Sequence, residues 1–317
     1  MKKILLILIC FAALRVNAQE LFTADAFIQQ VKLYHPVAKQ SNIMVERAAN
    51  ALLSSRGDFD PALTLDASRK TFDGKNYYFY TNPELKIPTW IGLNVKAGLE
   101  NNGGNYLNPE VTKGQSSYLG VEMPLAKGLV MDKRRAALQQ AKIMINQSEQ
   151  DRLNAMNDLL FEAYAAYWQW AGTYSLYSLY TKYLQASAER YRLVKIAYEN
   201  GDRAAMDTLE ALTQVQSFMM LQSDAKMKLN DAAIDLSNYL WQDNDSAYDL
   251  PSTFVPDTLQ FAMEQQAPQL DQLIRTASDQ NPALKSYSYK LDALAVERKL
   301  KFQSLLPVVN AKANLLN

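Results

Sequence analysis

The sequence predicts a mainly helical α+β fold in which a long antiparallel helical hairpin is joined to a few β-strands, with an internal duplication. Apolar and polar residues alternate at several places between residues 61 and 125. Residues 129–199 contain no proline, and two proline-containing segments follow the same plan far apart in the chain. Alternation with a period of two is typical of strands, and a long stretch without helix breakers is typical of a helix.

Composition excludes several classes of protein. The 317 residues suffice for one large or two ordinary domains. Basic and acidic residues both number 33, which argues against a nucleic-acid partner. The chain has one histidine and one cysteine, which rules out a Cys/His zinc cluster and disfavours a histidine-based catalytic triad. No catalytic residue, cofactor or metal site is therefore expected.

The first eighteen residues have the composition of a secretory signal peptide. Lys2 and Lys3 are followed by an almost wholly apolar run from residue 4 to residue 14, and Ala18 supplies a small residue at the cleavage site. The apolar run is too short to cross a bilayer as a stable helix. We therefore expect an exported protein, and the mature chain would lack cysteine because Cys10 lies in the signal.

The predicted duplication rests on two proline pairs. Each copy has a helix-capping residue followed by a proline, and a second proline 25 positions later, where the chain turns toward an extended run. The repeat-start residues are His35, Pro36 and Pro61 in the first copy, and Asn281, Pro282 and Pro307 in the second. Because His35 stands where Asn281 stands, a capping role is a better interpretation than metal binding or catalysis.

Three candidate strands precede the long helix, near residues 62–72, 90–100 and 116–125. Alternation alone fits a membrane-barrel strand and a soluble sheet covered on one side equally well. A chain that crosses a membrane and returns needs an even number of strands. One of the three is therefore expected to belong to an extracellular or irregular excursion.

Two long helices are predicted after the strands. Residues 129–199 would span roughly 106 Å as a helix, and a second helix follows over 204–241, after Asn200-Gly201-Asp202. Helices of this length need a packing partner. Four aromatic residues at 3-4-3 spacing are interpreted as the packing seam, not as a cofactor site: Tyr167, Trp170, Tyr174 and Tyr177. Residues 243–268 are predicted to be an irregular connection.

Four stretches together resemble the TolC-like outer-membrane efflux proteins. Two are the repeat starts. The third is the strand-to-helix passage, Pro124-Leu125 followed by Gly128 and the basic pair Arg134-Arg135. The fourth is the hairpin tip, in which Tyr198-Glu199-Asn200-Gly201 precedes Asp207-Thr208-Leu209-Glu210-Ala211. The likeness extends over nearly the whole mature chain.

The resemblance implies a passive exit duct and not an enzyme. Such a protein is a homotrimer when full length, with one shared transmembrane β-barrel in the cell outer membrane and a periplasmic tube (an α-barrel) of helical hairpins. An inner-membrane pump supplies the energy, and a periplasmic adaptor joins the pump to the hairpin tips. By position, the adaptor-contact candidates are Asn200, Gly201, Asp202 and Arg203. The barrel would contact outer-membrane lipid.

The implied organisation divides the chain into six segments. They are the signal peptide (1–18), first-repeat periplasmic helices (19–60), the β-strand region of the barrel (61–126), the long periplasmic hairpin (127–243), an irregular connection (244–268) and the start of a second repeat (269–317). The second copy is expected to be truncated, because only ten residues follow Pro307.

Two alternatives stay open beside the channel subunit. A periplasmic adaptor-like coiled-coil protein also has a signal peptide and a long helical hairpin, although the duplicated opening argues against it. The second alternative is that the chain is a non-functional fragment of a full-length channel. An enzyme is disfavoured because the sequence lacks a Gly-x-Ser-x-Gly run and a glycine-rich phosphate loop.

Overall fold

The computed structural model describes residues 20–258 and 269–316, so the predicted signal peptide lies outside the described residues. Contacts divide the chain into two compact units. Unit 1 contains the chain up to Ser41 and Asn154–Leu273, and unit 2 contains Asn42–Leu153 and the chain from Ile274 onward. The elements in order are β1 (Glu20–Phe22), α1 (Ala24–Tyr34), α2 (Pro36–Gly57), β2 (Ala62–Phe72), β3 (Lys75–Pro88), β4 (Asn94–Gly103), β5 (Gly114–Pro124), α3 (Lys133–Glu199), α4 (Ala205–Ser237), β6 (Phe254–Pro256), α5 (Leu270–Gln280), α6 (Pro282–Ser304) and β7 (Asn310–Leu316).

Unit 2 contains a five-stranded antiparallel sheet in the order β2-β3-β4-β5-β7. Strands β2 and β3 are joined by Asp73 and Gly74, both with positive φ (51° and 69°). Two central residues with positive φ match the twist of a tight hairpin. The connection from β5 to β7 passes through the long helices, so the last strand joins the sheet from far along the chain.

Strand β3 is absent from the sequence prediction, which named three candidate strands. Pro83 and four consecutive aromatic residues (77–80) hide its alternation. With β3 the chain has four consecutive strands, and each of the three predicted strands overlaps a strand of the sheet, so none of them is irregular; an extracellular position for one of them stays a prediction. The predicted strand over 90–100 also begins later, at Asn94. Residues 89–93 form a turn in which the Thr89 N–H donates to the Leu93 carbonyl (2.9 Å).

The two predicted repeat starts have the same order of elements. In each, an 11-residue helix is followed by a cap residue, a longer helix that begins at proline and then a strand. Asn281 accepts a hydrogen bond from the Ala283 N–H through its side chain (2.8 Å). His35 does the same for Val37 through Nδ1 (3.2 Å). Each bond satisfies a backbone donor that has no partner within its helix.

Unit 1 is built around the later part of α3 and its partner α4. Helix α3 has 67 residues and is roughly 100 Å long. It begins at Lys133 and not at residue 129, because residues 128–132 form the passage from the sheet. Helix α4 ends at Ser237, four residues before the predicted end. The most deeply buried large side chains of the unit are Phe27, Val31, Tyr167, Leu236 and Leu240.

Tyr167 connects the core of unit 1 to its short parallel strand pair. The hydroxyl donates to the Phe22 carbonyl (2.8 Å) and accepts from the Asp257 N–H (3.3 Å). Its ring stacks against Phe27 at 5.9 Å, and burial raises the pKa of the hydroxyl. Strand β6 lies inside the segment predicted to be irregular and pairs with β1. The prediction was therefore wrong for residues 254–256. Residues 259–268 of the same segment lie outside the described residues.

We expect the stability of unit 1 to fall as the pH drops below about 6.5, the ordinary pKa of histidine. Burial beside the rings of Tyr239 and Trp241 lowers the pKa of His35, and only neutral Nδ1 can accept from Val37. The pKa of His35 is therefore higher in the unfolded chain than in the folded chain. The free energy of unfolding decreases as the pH falls between these two pKa values, and it levels off below the folded one.

Urea unfolding of the wild type and His35→Asn at about pH 7.5 and about pH 5.5 measures this effect. Asparagine keeps an acceptor, as Asn281 shows, but does not titrate. The wild type should lose stability between the two pH values and the variant should lose less. An equal loss in both proteins would contradict the role of His35, which is the only histidine of the chain.

Candidate functional site

One face of the five-stranded sheet consists mainly of apolar side chains. A single row crosses all five strands in register: Leu63, Leu85, Ala97, Leu119 and Leu315. A second row crosses four strands: Ile87, Val95, Val121 and Ala313. Within the described chain nothing covers this face, since Leu63 is 76% exposed, Leu119 55% and Leu315 77%. It is therefore a large exposed apolar surface, which marks an interaction site.

The opposite face of the sheet is polar and carries a group of charged side chains. Glu122 lies 2.7 Å from the Lys96 ammonium, 3.7 Å from that of Lys312 and 4.0 Å from that of Lys86. Lys96 also lies 3.9 Å from Glu84. The Glu122 side chain is only 15% exposed, so these contacts compensate a partly desolvated carboxylate.

Tyr118 extends this polar network across three strands. Tyr118 lies on β5, and its hydroxyl reaches over β4 to donate a hydrogen bond to Glu84 on β3 (2.5 Å). The ring passes directly above Gly98 of β4, where a Cβ atom would lie 2.5 Å from the ring. The absence of a side chain at position 98 is therefore what allows the hydroxyl to reach Glu84.

The sequence prediction missed this charged group. Its five members, Glu84, Lys86, Lys96, Glu122 and Lys312, lie on four strands, and β3 and β7 were not among the predicted strands. The available signal was that Lys96 and Glu122 occupy the polar positions of two alternating runs. Only the strand register shows that they meet.

The strand-to-helix passage, predicted from Pro124, Leu125 and Gly128, is held by the side chain of Arg135. Strand β5 ends at Pro124, and the Leu125 N–H then donates to the Val309 carbonyl (2.7 Å). Gly128 has φ +89°, a left-handed conformation that favours glycine. The Arg135 guanidinium donates to the Gly128 carbonyl and to the Leu129 carbonyl (3.1 Å), and it pairs with Asp132 at 3.2 Å.

The adaptor-contact candidates form the turn between α3 and α4, and all four residues are exposed. The Gly201 N–H donates to the Tyr198 carbonyl (3.0 Å) and the Asp202 N–H to the Ala197 carbonyl (2.8 Å). With φ +83° at Gly201, this is a Schellman cap. Arg203 pairs with Asp207 at 3.5 Å in the first turn of α4. The turn geometry accounts for Gly201, while Asn200, Asp202 and Arg203 present polar groups to solvent.

The remaining predicted positions lie at the ends of helices and strands. Pro36 and Pro282 begin α2 and α6, and Pro61 directly precedes β2. Pro307 lies between α6 and β7, where its carbonyl accepts from the Lys127 N–H (3.1 Å). Residues 20–258 and 269–316 contain no group of three or more His, Cys, Asp or Glu side chains arranged to hold a metal ion. None of the helices in these ranges is long and apolar enough to cross a bilayer.

The predicted aromatic seam divides into a buried and a half-buried part. Tyr167 and Trp170 are almost completely buried in unit 1. Tyr174 and Tyr177, further along α3, line an open groove of about 860 Å³ together with α4 and residues 250–255. The seam therefore packs as predicted over its first half and borders the groove over its second.

Comparison with known proteins identifies the fold. The sequence model of the family described as outer membrane efflux protein matches residues 90–240. No curated protein matches the chain. Among solved structures, the fold is similar to those of three outer membrane proteins: the Campylobacter jejuni channel CmeC (12% identity, TM-score 0.55), Vibrio cholerae VceC (13%, 0.54) and the open state of the Neisseria gonorrhoeae channel MtrE (13%, 0.56).

The likeness covers most of this chain but not the whole of its relatives. Each match includes 93% of this chain, which spans 61% of CmeC, 66% of VceC and 62% of MtrE. The chain therefore corresponds to less than two thirds of each of these proteins. At such low identity the matches establish the fold alone.

Two glycine-to-alanine substitutions on the hairpin should have opposite effects. Neither Gly201 nor Gly172 has an atom within 4 Å of the added Cβ, so sterics with neighbours play no part. Gly201→Ala should destabilise by about 1–2 kcal/mol, because alanine disfavours the left-handed conformation. Gly172→Ala lies inside α3 and should stabilise by about 0.5–1 kcal/mol. Urea unfolding measures both, and a stabilised Gly201→Ala protein would contradict the Schellman assignment.

Proposed function

We propose that this chain, whose residues 90–240 match the sequence model of the outer membrane efflux protein family, is the outer-membrane subunit of an efflux or type I secretion-like system. In this proposal it is a passive exit duct without enzymatic activity. Residues 61–126 supply barrel strands, and the hairpin of residues 127–243 extends into the periplasm. Residues 1–18 direct export as a signal peptide.

The observation that carries the proposal is the exposed apolar face of the sheet. Leaving a leucine side chain in water instead of burying it costs about 1.5–3 kcal/mol, and the described chain leaves a whole row exposed. Burial of the apolar face in the lipid bilayer would remove that cost. Strands β2 and β5 have eleven residues each, which matches the length that a tilted strand needs to cross a bilayer. The polar face with Lys96 and Glu122 would then line a water-filled interior.

The edges of the sheet favour assembly with further copies. Strands β2 and β7 are the two outermost strands, and every residue of both is exposed. Unpaired backbone N–H and C=O groups in lipid cost several kcal/mol each, so a membrane sheet must close. Closure between copies of the chain fits a homotrimer when the protein is full length.

The hairpin supports the proposed partnership with an inner-membrane pump through a periplasmic adaptor. Helices α3 and α4 are long and end in an exposed turn whose backbone hydrogen bonds are satisfied internally. The side chains of Asn200, Asp202 and Arg203 are exposed, and the only ion pair that they form within the described residues is the exposed contact of Arg203 with Asp207, so they are available to contact another protein. Exposed loop residues on rigid elements commonly serve in binding.

A periplasmic adaptor-like protein is the competing candidate, and the long hairpin is equally compatible with it. The apolar sheet face is not, because a protein in the aqueous periplasm would leave Leu63, Leu119 and Leu315 in water. Fractionation of cells separates the two candidates. The channel proposal requires the chain to sediment with the outer membrane and to resist extraction by high salt or alkali.

Two arginine substitutions in strand β2 test which face of the sheet contacts lipid. Ala67 and Ser68 are adjacent, exposed and on opposite faces, with Ala67 in the row that contains Thr81 and Ser68 in the row that contains Tyr80. Ala67→Arg should destabilise the membrane-inserted protein by about 2–4 kcal/mol, because the charge would lie near the bilayer midplane. Ser68→Arg, on the aqueous face, should have little effect.

The readout is the amount of each variant in the outer membrane and its unfolding by urea in lipid. Both variants carry the same new charge on the same strand, so only the face differs. Equal loss in the two variants, or a larger loss for Ser68→Arg, would contradict the assignment of the apolar face to lipid.

The proposed adaptor contact predicts a separation between assembly and efflux. Exchange of the charges at Asp202 and Arg203 (D202R with R203D) preserves net charge and breaks only the exposed contact to Asp207, a loss below about 1 kcal/mol. Outer-membrane abundance should therefore stay normal, while cross-linking to the adaptor and export should fall. The matched control exchanges Glu189 and Arg192, an exposed pair at 2.6 Å away from the tip. Normal export by the tip variant would exclude the contact.

A further inference from the structure

A pocket in unit 2 lies directly beyond the end of the β5–β7 strand pair. It has a volume of about 430 Å³ and lies between residues 127–133 and the end of α6. Met131 and Leu300 form part of its apolar wall, where Met131 belongs to a small buried cluster with Ala136 and Val296 and the half-buried Leu300 packs against that cluster. The pocket is therefore part of the folded structure and not a surface dent.

Three lysines surround this pocket. Lys127 comes from the passage, Lys133 from the first turn of α3 and Lys301 from the last turn of α6, and all three are exposed. The carboxylate of Asp132 also lines the pocket, but it is engaged by Arg135 at 3.2 Å. The ammonium groups therefore outnumber the carboxylates, and the start of α3 adds the positive end of its helix dipole. The rim is suited to an anion such as a phosphate.

Gln303 contributes to the wall of the pocket a hydrogen-bond acceptor without a partner in the described chain. Its side chain lines the pocket, is only 7% exposed, and its Oε1 atom is buried without a hydrogen-bond partner. An unsatisfied buried acceptor destabilises the folded protein. A ligand that presents an N–H group to this oxygen would recover that free energy. The site therefore combines phosphate-binding cations with an acceptor for an ammonium group.

The position of the pocket relative to the apolar face indicates where such a ligand comes from. One end of the sheet has the tight hairpin at Asp73–Gly74, and at the other end the chain leaves the strands for the helices. The pocket lies at the helical end. Exposed apolar side chains next to it are Leu125, Leu129, Val130, Leu305 and Val308. Lysines beside apolar residues at a strand end are typical of a membrane interface.

We propose that this pocket binds the headgroup of a phosphatidylethanolamine lipid in the leaflet nearest the helices. The phosphate contacts Lys127, Lys133 and Lys301, and the primary ammonium donates a hydrogen bond to Gln303 Oε1. The acyl chains leave the pocket along the exposed apolar side chains toward the apolar face of the sheet. The inference rests on the proposed function, because lipid reaches the site only if the sheet spans the outer membrane.

Lipid binding by the intact protein tests this assignment. The full chain, extracted from outer membranes in detergent, is titrated with phosphatidylethanolamine or with phosphatidylcholine, and retained lipid is counted by native mass spectrometry. Trimethylated choline has no N–H to donate. We expect phosphatidylethanolamine to bind roughly tenfold more tightly, which is the contribution of one charge-assisted hydrogen bond. Inorganic phosphate should not displace it.

Three variants assign the preference to the pocket. Gln303→Met keeps the length of the side chain but removes the acceptor, so it should abolish the preference between the two lipids and leave phosphatidylcholine binding unchanged. Replacement of Lys127, Lys133 and Lys301 by glutamine should weaken both lipids. Lys299→Gln is the matched control, since Lys299 is exposed on the same helix outside the pocket and should have no effect.

Each other outcome overturns the assignment in an identifiable way. Equal binding of the two lipids by the wild type excludes recognition of the ammonium group. Displacement by inorganic phosphate indicates a general anion site. A chain that sediments with the outer membrane but retains no phosphatidylethanolamine refutes the lipid site while the proposed function stands. A chain that does not sediment with the outer membrane refutes the proposed function itself.

Discussion

The alternation of side chains across five hydrogen-bonded strands is the constraint on which the rest of the structure depends. Each strand pair fixes a register, and the register places Leu63, Leu85, Ala97, Leu119 and Leu315 in one row. A shift of one residue in any strand would move its member of this row to the polar face, and in β3 and β4 it would bring a charged neighbour such as Glu84 or Lys96 to the apolar face. The strong contrast between the faces therefore specifies the pairing, including that of β7, which arrives from far along the chain.

Charge neutralisation on the polar face complements this arrangement. Glu122 is the shared partner of lysines from β3, β4 and β7, so a single carboxylate connects the first and second parts of the chain. Removal of Glu122 would leave three ammonium groups close together, whereas removal of one lysine would leave two others near the carboxylate. The network thus tolerates loss at its periphery better than at its centre.

The transition from strand to helix depends on one guanidinium group. Arg135 satisfies carbonyls of the passage that have no strand or helix partner, and its contact with Asp132 fixes the residue that caps α3. A preformed passage fixes the direction in which the helix leaves the strand. The same passage supplies Lys127 and Met131 to the pocket, so the geometry of the proposed lipid site depends on it as well.

Local sequence determined the elements whose signals are short-range. Proline at the first helical position fixed the starts of α2 and α6, glycine in the left-handed conformation fixed the end of α3, and alternation identified parts of β2, β4 and β5. The motif pattern also indicated the resemblance to the family whose sequence model matches residues 90–240. The aromatic run of residues 77–80 hid β3, and the short strands β1 and β6 have too few residues for a recognisable period.

Only the tertiary structure decided which distant residues meet. The charged group around Glu122 and the pocket around Gln303 each join side chains separated by more than a hundred positions, through strand pairing or helix packing. No local pattern encodes such contacts, because they depend on the summed register of several elements. Local sequence therefore determined the type and limits of many elements, and the tertiary structure determined which side chains share the apolar face, the charged group and the pocket.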